Sequence, residues 1–83
     1  MNASPVPPRL RWRCRRGTRE LDLLLGGWLE RYWAAADEAR RSAFERLLDS
    51  TDPDLWDWLM GHARPDDPKF ASIIDEIRAD HRL

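Results

Sequence analysis

The stretch Leu21-Asp22-Leu23-Leu24-Leu25-Gly26-Gly27-Trp28-Leu29-Glu30-Arg31-Tyr32 decides the fold class. Leu21, Leu24, Leu25, Trp28, Leu29 and Tyr32 recur at i, i+3, i+4, i+7, i+8 and i+11. That spacing gathers side chains on one face of an α-helix. A half-buried strand would alternate with period two, and no such alternation occurs anywhere in the chain. Gly26-Gly27 interrupts the stripe at about 1 kcal/mol per glycine relative to alanine. Two readings of the pair stand open: a neighbouring helix packed close against it, or a kink.

Upstream of this helix, Arg9 to Arg16 reads as a short first helix. Leu10 and Cys14 face inward, with Trp12 placed either inward or at the surface. Gly17 is the expected stop, because glycine tolerates positive φ after a helix cap. Thr18 then caps the second helix, with Glu20 in its first turn, where the helix dipole favours an anion. Met1 to Pro8 reads as a flexible arm, since Pro5, Pro7 and Pro8 block regular pairing. The helical domain is expected over residues 9–83.

Downstream, Asp37 is placed as the cap of a third helix with Ala39, Ala43, Phe44, Leu47 and Leu48 as its inner stripe. Asp52-Pro53 starts a fourth, with Asp at the cap and Pro at the first helical position. Its faces carry Leu55, Trp58 and Leu59 on one side and Trp56 and Met60 on another, and Gly61 or His62 ends it. Asp67-Pro68 repeats the start signal for a fifth helix that turns Phe70, Ile73, Ile74 and Ile77 inward. The expected fold is all-α: a compact five-helix bundle forming a single small domain.

Eighty-three residues lie near the lower limit for a self-sufficient core, and five tryptophans help to fill it. One cysteine excludes an internal disulfide and a cysteine-based zinc site, which suits a reducing compartment. No apolar stretch approaches the roughly 20 residues of a membrane span, so no membrane insertion is expected. His62 and His81 are too isolated for a metal site. No glycine-rich phosphate loop is present, because Gly26-Gly27 lacks the spacing of a dinucleotide fingerprint. No nucleophile, base or metal constellation converges, so no catalytic residues are assigned and an enzyme is not expected.

Charge is divided along the chain. Arg9, Arg11, Arg13, Arg15, Arg16 and Arg19 precede the first acidic residue, and the remainder holds 8 basic and 15 acidic residues. A site at that boundary presents both signs, which suits a protein partner better than a polyphosphate. Arg16, Gly17 and Glu20 read equally well as a helix–helix junction or as a contact surface. Arg15 and Arg19, with Arg13, read first as solvated charge and second as steering groups. Cys14, though flanked by arginines, reads as a packed thiol. A small nucleic-acid-binding module is the rival reading, with the arginines as phosphate contacts; Asp52, Asp54 and Asp57 on the fourth helix oppose it. A generic protein-interaction module of antitoxin type is a further alternative.

Two blocks carry a family resemblance. The first is Trp12-Arg13-Cys14-Arg15-Arg16-Gly17-Thr18-Arg19-Glu20-Leu21-Asp22, which contains an Arg-Gly-x-x-Glu signature at Arg16, Gly17 and Glu20. The second runs through Leu47-Leu48-Asp49 and Asp52-Pro53-Asp54-Leu55-Trp56-Asp57-Trp58-Leu59-Met60-Gly61-His62 to Pro65. In this order, in a chain of this length, the blocks resemble the succinate dehydrogenase FAD assembly factor (SdhE, or flavinylation factor) family. Thr18 departs from the larger apolar residue common there. The resemblance implies a small cytoplasmic helical protein without a catalytic centre; a bacterial chain, a monomer and no stably bound cofactor are the accompanying expectations. Such a protein binds the flavoprotein subunit of succinate dehydrogenase or fumarate reductase and promotes covalent attachment of FAD, the client's cofactor, to a histidine. It places partner contact at Arg16, Gly17 and Glu20, with Arg15, Arg19 and Trp12 beside them.

Overall fold

The computed structural model describes residues 6–83 as five helices with no strand among them. They are α1 (Pro8–Arg13), α2 (Arg19–Tyr32), α3 (Glu38–Leu47), α4 (Asp52–Leu59) and α5 (Pro68–His81). The expected all-α bundle is the observed fold. α5 is its central post, packing against α2, α3 and α4, while α2 also meets α4. This arrangement follows from α5's apolar stripe: Ala71, Ile73, Ile74 and Ile77 are all buried.

The core is one cluster. Leu21, Leu24, Leu25, Trp28 and Leu29 from α2 meet Phe44, Leu47 and Leu48 from the α3 region, Leu55 and Leu59 from α4, and the isoleucines of α5. Trp28 is its centre, only 1% exposed. Its ring stacks on Phe44 at 4.4 Å between centroids, and Trp33 stands edge-on to it at 6.5 Å. The indole Nε1–H donates to Glu76 Oε1 at 2.7 Å, and Arg40 Nη2 donates to the same oxygen at 2.6 Å. A tryptophan can therefore be buried without leaving its polar atom unsatisfied.

Several local expectations are corrected. α1 begins at Pro8 and ends at Arg13, with Cys14 as its cap, so the helix is shorter than the span from Arg9 to Arg16. The chain leaves α1 early because Arg15 N–H closes back on the Trp12 carbonyl at 3.0 Å, after which Arg16 turns toward the α3–α4 connection. Trp12 points outward at 71% exposure, while Leu10 and Cys14 are buried as expected. Ala39 is exposed, one position off the α3 stripe. Thr18 occupies the N-cap of α2 without a side-chain cap bond; its carbonyl accepts from Asp22 N–H at 3.0 Å. Thr51, not Asp52, caps α4, its hydroxyl accepting from Asp54 N–H. This shift frees the Asp52 carboxylate for another partner. Asp37 and Asp67 do cap α3 and α5. The arm expected over residues 1–8 lies outside the described residues as far as Pro5; Val6 is buried in the core and Pro8 opens α1.

α2 runs as one continuous helix through Gly26-Gly27. A Cβ built on Gly27 would lie 3.3 Å from His81 Nε2, so close packing by the end of α5 explains this glycine. Gly26 meets nothing within 4 Å and faces the open side between α1 and α2.

The buried Cys14 thiol is pushed up from 9.0 to about 11 by burial, against the lowering effect of Arg16 and Arg13. Because the folded value lies above the unfolded one, this group's contribution to stability is complete below pH 9. It is lost as pH rises from about 9 to about 11. At pH 8 the native thiol is expected to react with a disulfide reagent at least tenfold more slowly than in denaturant, since both thiolate fraction and access are reduced. Stopped-flow absorbance checks this directly, and equal rates in the two states would contradict it.

Candidate functional site

The first of the two sequence blocks spans the connection between α1 and α2, and Gly17 is its pivot. Its φ of +92° lies in the region where L-residues with a Cβ are strained. The positive φ reverses the chain between Arg16 and Thr18 and lets α2 start at Arg19. A Cβ on Gly17 would meet nothing within 4 Å. The constraint is thus in the backbone, and the surface above Gly17 is open.

Arg16 is bound inward. Its side chain is 16% exposed. Nε donates to Asp52 Oδ1 at 2.8 Å, Nη1 to the Leu48 carbonyl at 2.8 Å, and Nη2 to the Ser50 carbonyl at 2.7 Å. Leu48 is the C-cap of α3, so the guanidinium supplies donors to carbonyls that the helix end leaves unpaired. The Arg16 backbone N–H donates to Asp22 Oδ1. One residue therefore ties α1, α2, the α3–α4 connection and the first turn of α4 together.

Glu20 is the reverse case. It lies exposed in the first turn of α2, and among the described residues its carboxylate has no hydrogen-bond or ion-pair partner. Arg19 beside it is also exposed and, among the described residues, unpaired. Arg15 lies with its guanidinium carbon 5.3 Å from the Trp12 ring centroid, a cation–π contact between exposed groups. Next to the turn, α1 and α2 frame an open groove of about 360 Å³ lined by Arg11, Cys14, Arg15, Asp22, Leu23, Gly26, Gly27, Leu29 and Glu30. Leu23 is a large apolar side chain left exposed on this rim.

The basic run is less basic in three dimensions than along the chain. Arg9 pairs with Glu45, Arg11 with Glu30, Arg13 with Asp49, and Arg16 with Asp52. The acids come from α2, from α3 and its end, and from α4, so the fold interleaves the two charge blocks. Arg15 and Arg19 alone among these six arginines lack a carboxylate among the described residues. What remains at the surface is a compact mixed-charge patch, with Glu20, Arg15 and Arg19 around the Gly17 turn and Trp12 at its margin.

Sequence reasoning placed Arg16, Gly17, Glu20, Arg15, Arg19 and Trp12 at one contact surface. The structure places Gly17 on the open turn, Arg19 and Glu20 just beyond it in the first turn of α2, and Arg15 with Trp12 on the α1 side. It directs the Arg16 fork into the protein. Asp52, expected as a cap, and Asp22, given no role of its own, both hold Arg16; 36 residues separate Arg16 from Asp52, and no local pattern joins them. Glu76 and Asp80 also escaped notice. Asp80 Oδ1 accepts from Tyr32 Oη at 3.2 Å and from Arg31 Nη1 at 2.8 Å, which fastens α5 to α2. Among the described residues, no three His, Cys, Asp or Glu side chains converge as metal ligands. No helix among them is long and apolar enough to cross a membrane.

Comparison with known proteins assigns this architecture to a family. Residues 8–81 match the family described as "Flavinator of succinate dehydrogenase". The chain is 52% identical over 71 residues to the FAD assembly factor SdhE of Xylella fastidiosa, covering 86% of this chain and 73% of that protein. It is 49% identical over 71 residues to the FAD assembly factor SdhE of Methylococcus capsulatus, covering 86% of each. The similarity to the FAD assembly factor SdhE of Aliivibrio fischeri reaches 41% across 100% of this chain and 95% of that one. With all five helices inside the matched region, this chain belongs to the succinate dehydrogenase flavinator (FAD assembly factor) family.

Proposed function

We propose that this protein is an assembly factor that docks on the flavoprotein subunit of succinate dehydrogenase through the Gly17 turn and promotes covalent attachment of FAD there. One observation carries the reading beyond family membership. In a molecule that pairs the arginines of α1 with acids, the turn between α1 and α2 leaves Glu20, Arg15 and Arg19 without a charge partner among the described residues. Exposed charges of both signs around an uncluttered glycine suit a protein surface that brings its own donors, acceptors and backbone close.

In this reading Glu20 accepts hydrogen bonds from basic or amide groups of the client. Arg15 and Arg19 meet its acidic or carbonyl groups, and Trp12 supplies apolar area at the margin. The factor has no catalytic centre of its own. FAD is the client's cofactor, and the bond forms between flavin and a client histidine. The factor contributes by favouring the client conformation in which those two groups are aligned, since a bound near-attack geometry removes several kcal/mol of barrier. Fumarate reductase, a flavoprotein of the same kind, is a second client within this proposal. A nucleic-acid role is disfavoured because the pairing of Arg9, Arg11 and Arg13 removes the phosphate-binding stripe that role would need.

The test is covalent flavin on the succinate dehydrogenase flavoprotein subunit, read as fluorescence of denatured protein in gels. Cells with the gene, without it, and with Glu20→Ala at native expression are compared. Deletion is expected to abolish most of the signal. Glu20→Ala is expected to weaken client binding by roughly 30-fold, the effect of losing one central charged contact, and to restore the signal poorly. Undiminished fluorescence in the deletion strain would remove the proposal.

A further inference from the structure

Arg16 belongs to the signature, yet its geometry sets it apart from Gly17 and Glu20. All three guanidinium nitrogens are engaged within the protein at 2.7–2.8 Å with two main-chain carbonyls and one carboxylate, and Nη1 also donates to the Arg13 carbonyl at 3.4 Å. A planar fork satisfied on every nitrogen has little left to offer a client. For Arg16 to grip a client carboxylate with two N–H groups, it would have to give up at least one of these internal bonds. We propose that Arg16 is a positioning residue: it does not touch the client, but fixes the Gly17 turn onto the α3–α4 connection so that Glu20 and Arg19 are held ready to dock. This rests on the docking reading above.

The consequence is that the two sequence blocks act as one unit. The first block supplies the arginine and the docking turn. The second supplies the anchor, through Leu48, Ser50 and Asp52. Gly17, being unhindered and at positive φ, cannot hold the turn by packing. The order must come from its neighbours: the Arg16 side chain on one side, and the Arg16 N–H to Asp22 bond with the Asp22 N–H to Thr18 bond on the other. A turn that populates the docking shape only part of the time binds more weakly by that fraction, even when every contact group is present. Lysine would keep a point charge near Asp52 but could not span two carbonyls and a carboxylate, so it restores the function only in part.

The experiment uses the full chain and separates the two ideas. Arg16→Ala, Arg16→Lys, Asp52→Asn and Glu20→Ala are each measured twice. In the free protein, residue-resolved amide exchange is followed at position 16 and at Asp22. With the immobilised flavoprotein subunit, association and dissociation rates are followed. Arg16→Ala is expected to speed exchange at both amides by about tenfold and to slow association by about the same factor, with dissociation changed less than about twofold. Asp52→Asn, which removes the charge of one anchor but keeps an acceptor oxygen, is expected to move both readouts the same way by a smaller amount, and Arg16→Lys to fall between native and alanine. Glu20→Ala is expected to leave exchange unchanged and to speed dissociation. Faster dissociation for Arg16→Ala, matching Glu20→Ala with undisturbed exchange, would show that Arg16 touches the client and would overturn the proposal. A defect in Glu20→Ala alone would also overturn it while sparing the docking reading. Native binding by all four variants would overturn both.

Discussion

Trp28→Ala is expected to remove most of the folding stability of this protein. Truncating a fully buried tryptophan costs about 3–5 kcal/mol through lost transfer energy and the cavity left behind. A domain of this size holds only about 4–12 kcal/mol in total, at 0.05–0.15 kcal/mol per residue. The loss is placed at the upper end because Trp28 joins three helices. It stacks on Phe44 of α3, stands against Trp33 at the end of its own helix, and donates to Glu76 of α5. Removing the indole also withdraws one of the two donors that hold the Glu76 carboxylate beside Arg40. Urea denaturation followed by far-UV circular dichroism checks this, with a midpoint expected to fall by more than half. Trp28→Phe keeps an aromatic ring for the stack but loses the Nε1 hydrogen bond and part of the buried indole, so about 1–3 kcal/mol is expected for it. Equal effects of the two substitutions would mean that the polar contact and the extra indole volume, not the stack, organise the centre of the bundle.

Gly17→Arg is expected to abolish client binding, by about 100-fold or more, while the protein stays folded. The two halves of this expectation have separate causes. Within the free protein, space is available, because no atom lies within 4 Å of the position a Cβ would take. The cost there is the positive φ, on the order of 1–3 kcal/mol for a residue other than glycine, which a folded domain survives. On the proposed docking surface a long cation would rise where the client backbone is expected to approach, adding a third unpaired cation beside Arg15 and Arg19. Like-charge crowding and steric exclusion together cost several kcal/mol at an interface. A pull-down with the flavoprotein subunit, paired with far-UV circular dichroism, separates these terms. Retained binding with a native spectrum would place the docking surface elsewhere on the molecule. Loss of both would show that the turn is needed for folding itself.

The two predictions draw on different parts of the molecule, and the sequence made those parts legible to different degrees. The stripe from Leu21 to Tyr32, the Asp-Pro starts and the isoleucines of α5 are local signals, set by the helical repeat and by what proline and aspartate do at a helix end. They determined that the chain is all-α, that it has five helices, and which leucines, isoleucines and Phe44 fill the core. The positive φ at Gly17 was legible for the same reason, since few other residues serve there. The two sequence blocks also determined the family.

Tertiary structure alone decided the partners of the charges. Arg16 was expected at a partner contact, and within the chain its guanidinium bonds to Leu48, Ser50 and Asp52. Asp52 was read as a cap, and Thr51 takes that place and leaves Asp52 free for Arg16. The α1 arginines were read as a basic block, and α2, α3 and its end neutralise three of them. Trp12 could be set on either side until α1 was seen to stop at Arg13. A helix repeat acts between residues three or four apart, so sequence displays it. An ion pair or a fork across 36 residues depends on which helix ends the packing brings together. Apolar burial along the chain therefore settled the architecture, and only the assembled helices could show which charged groups are paired inside and which, like Glu20, are left exposed and unpaired among the described residues.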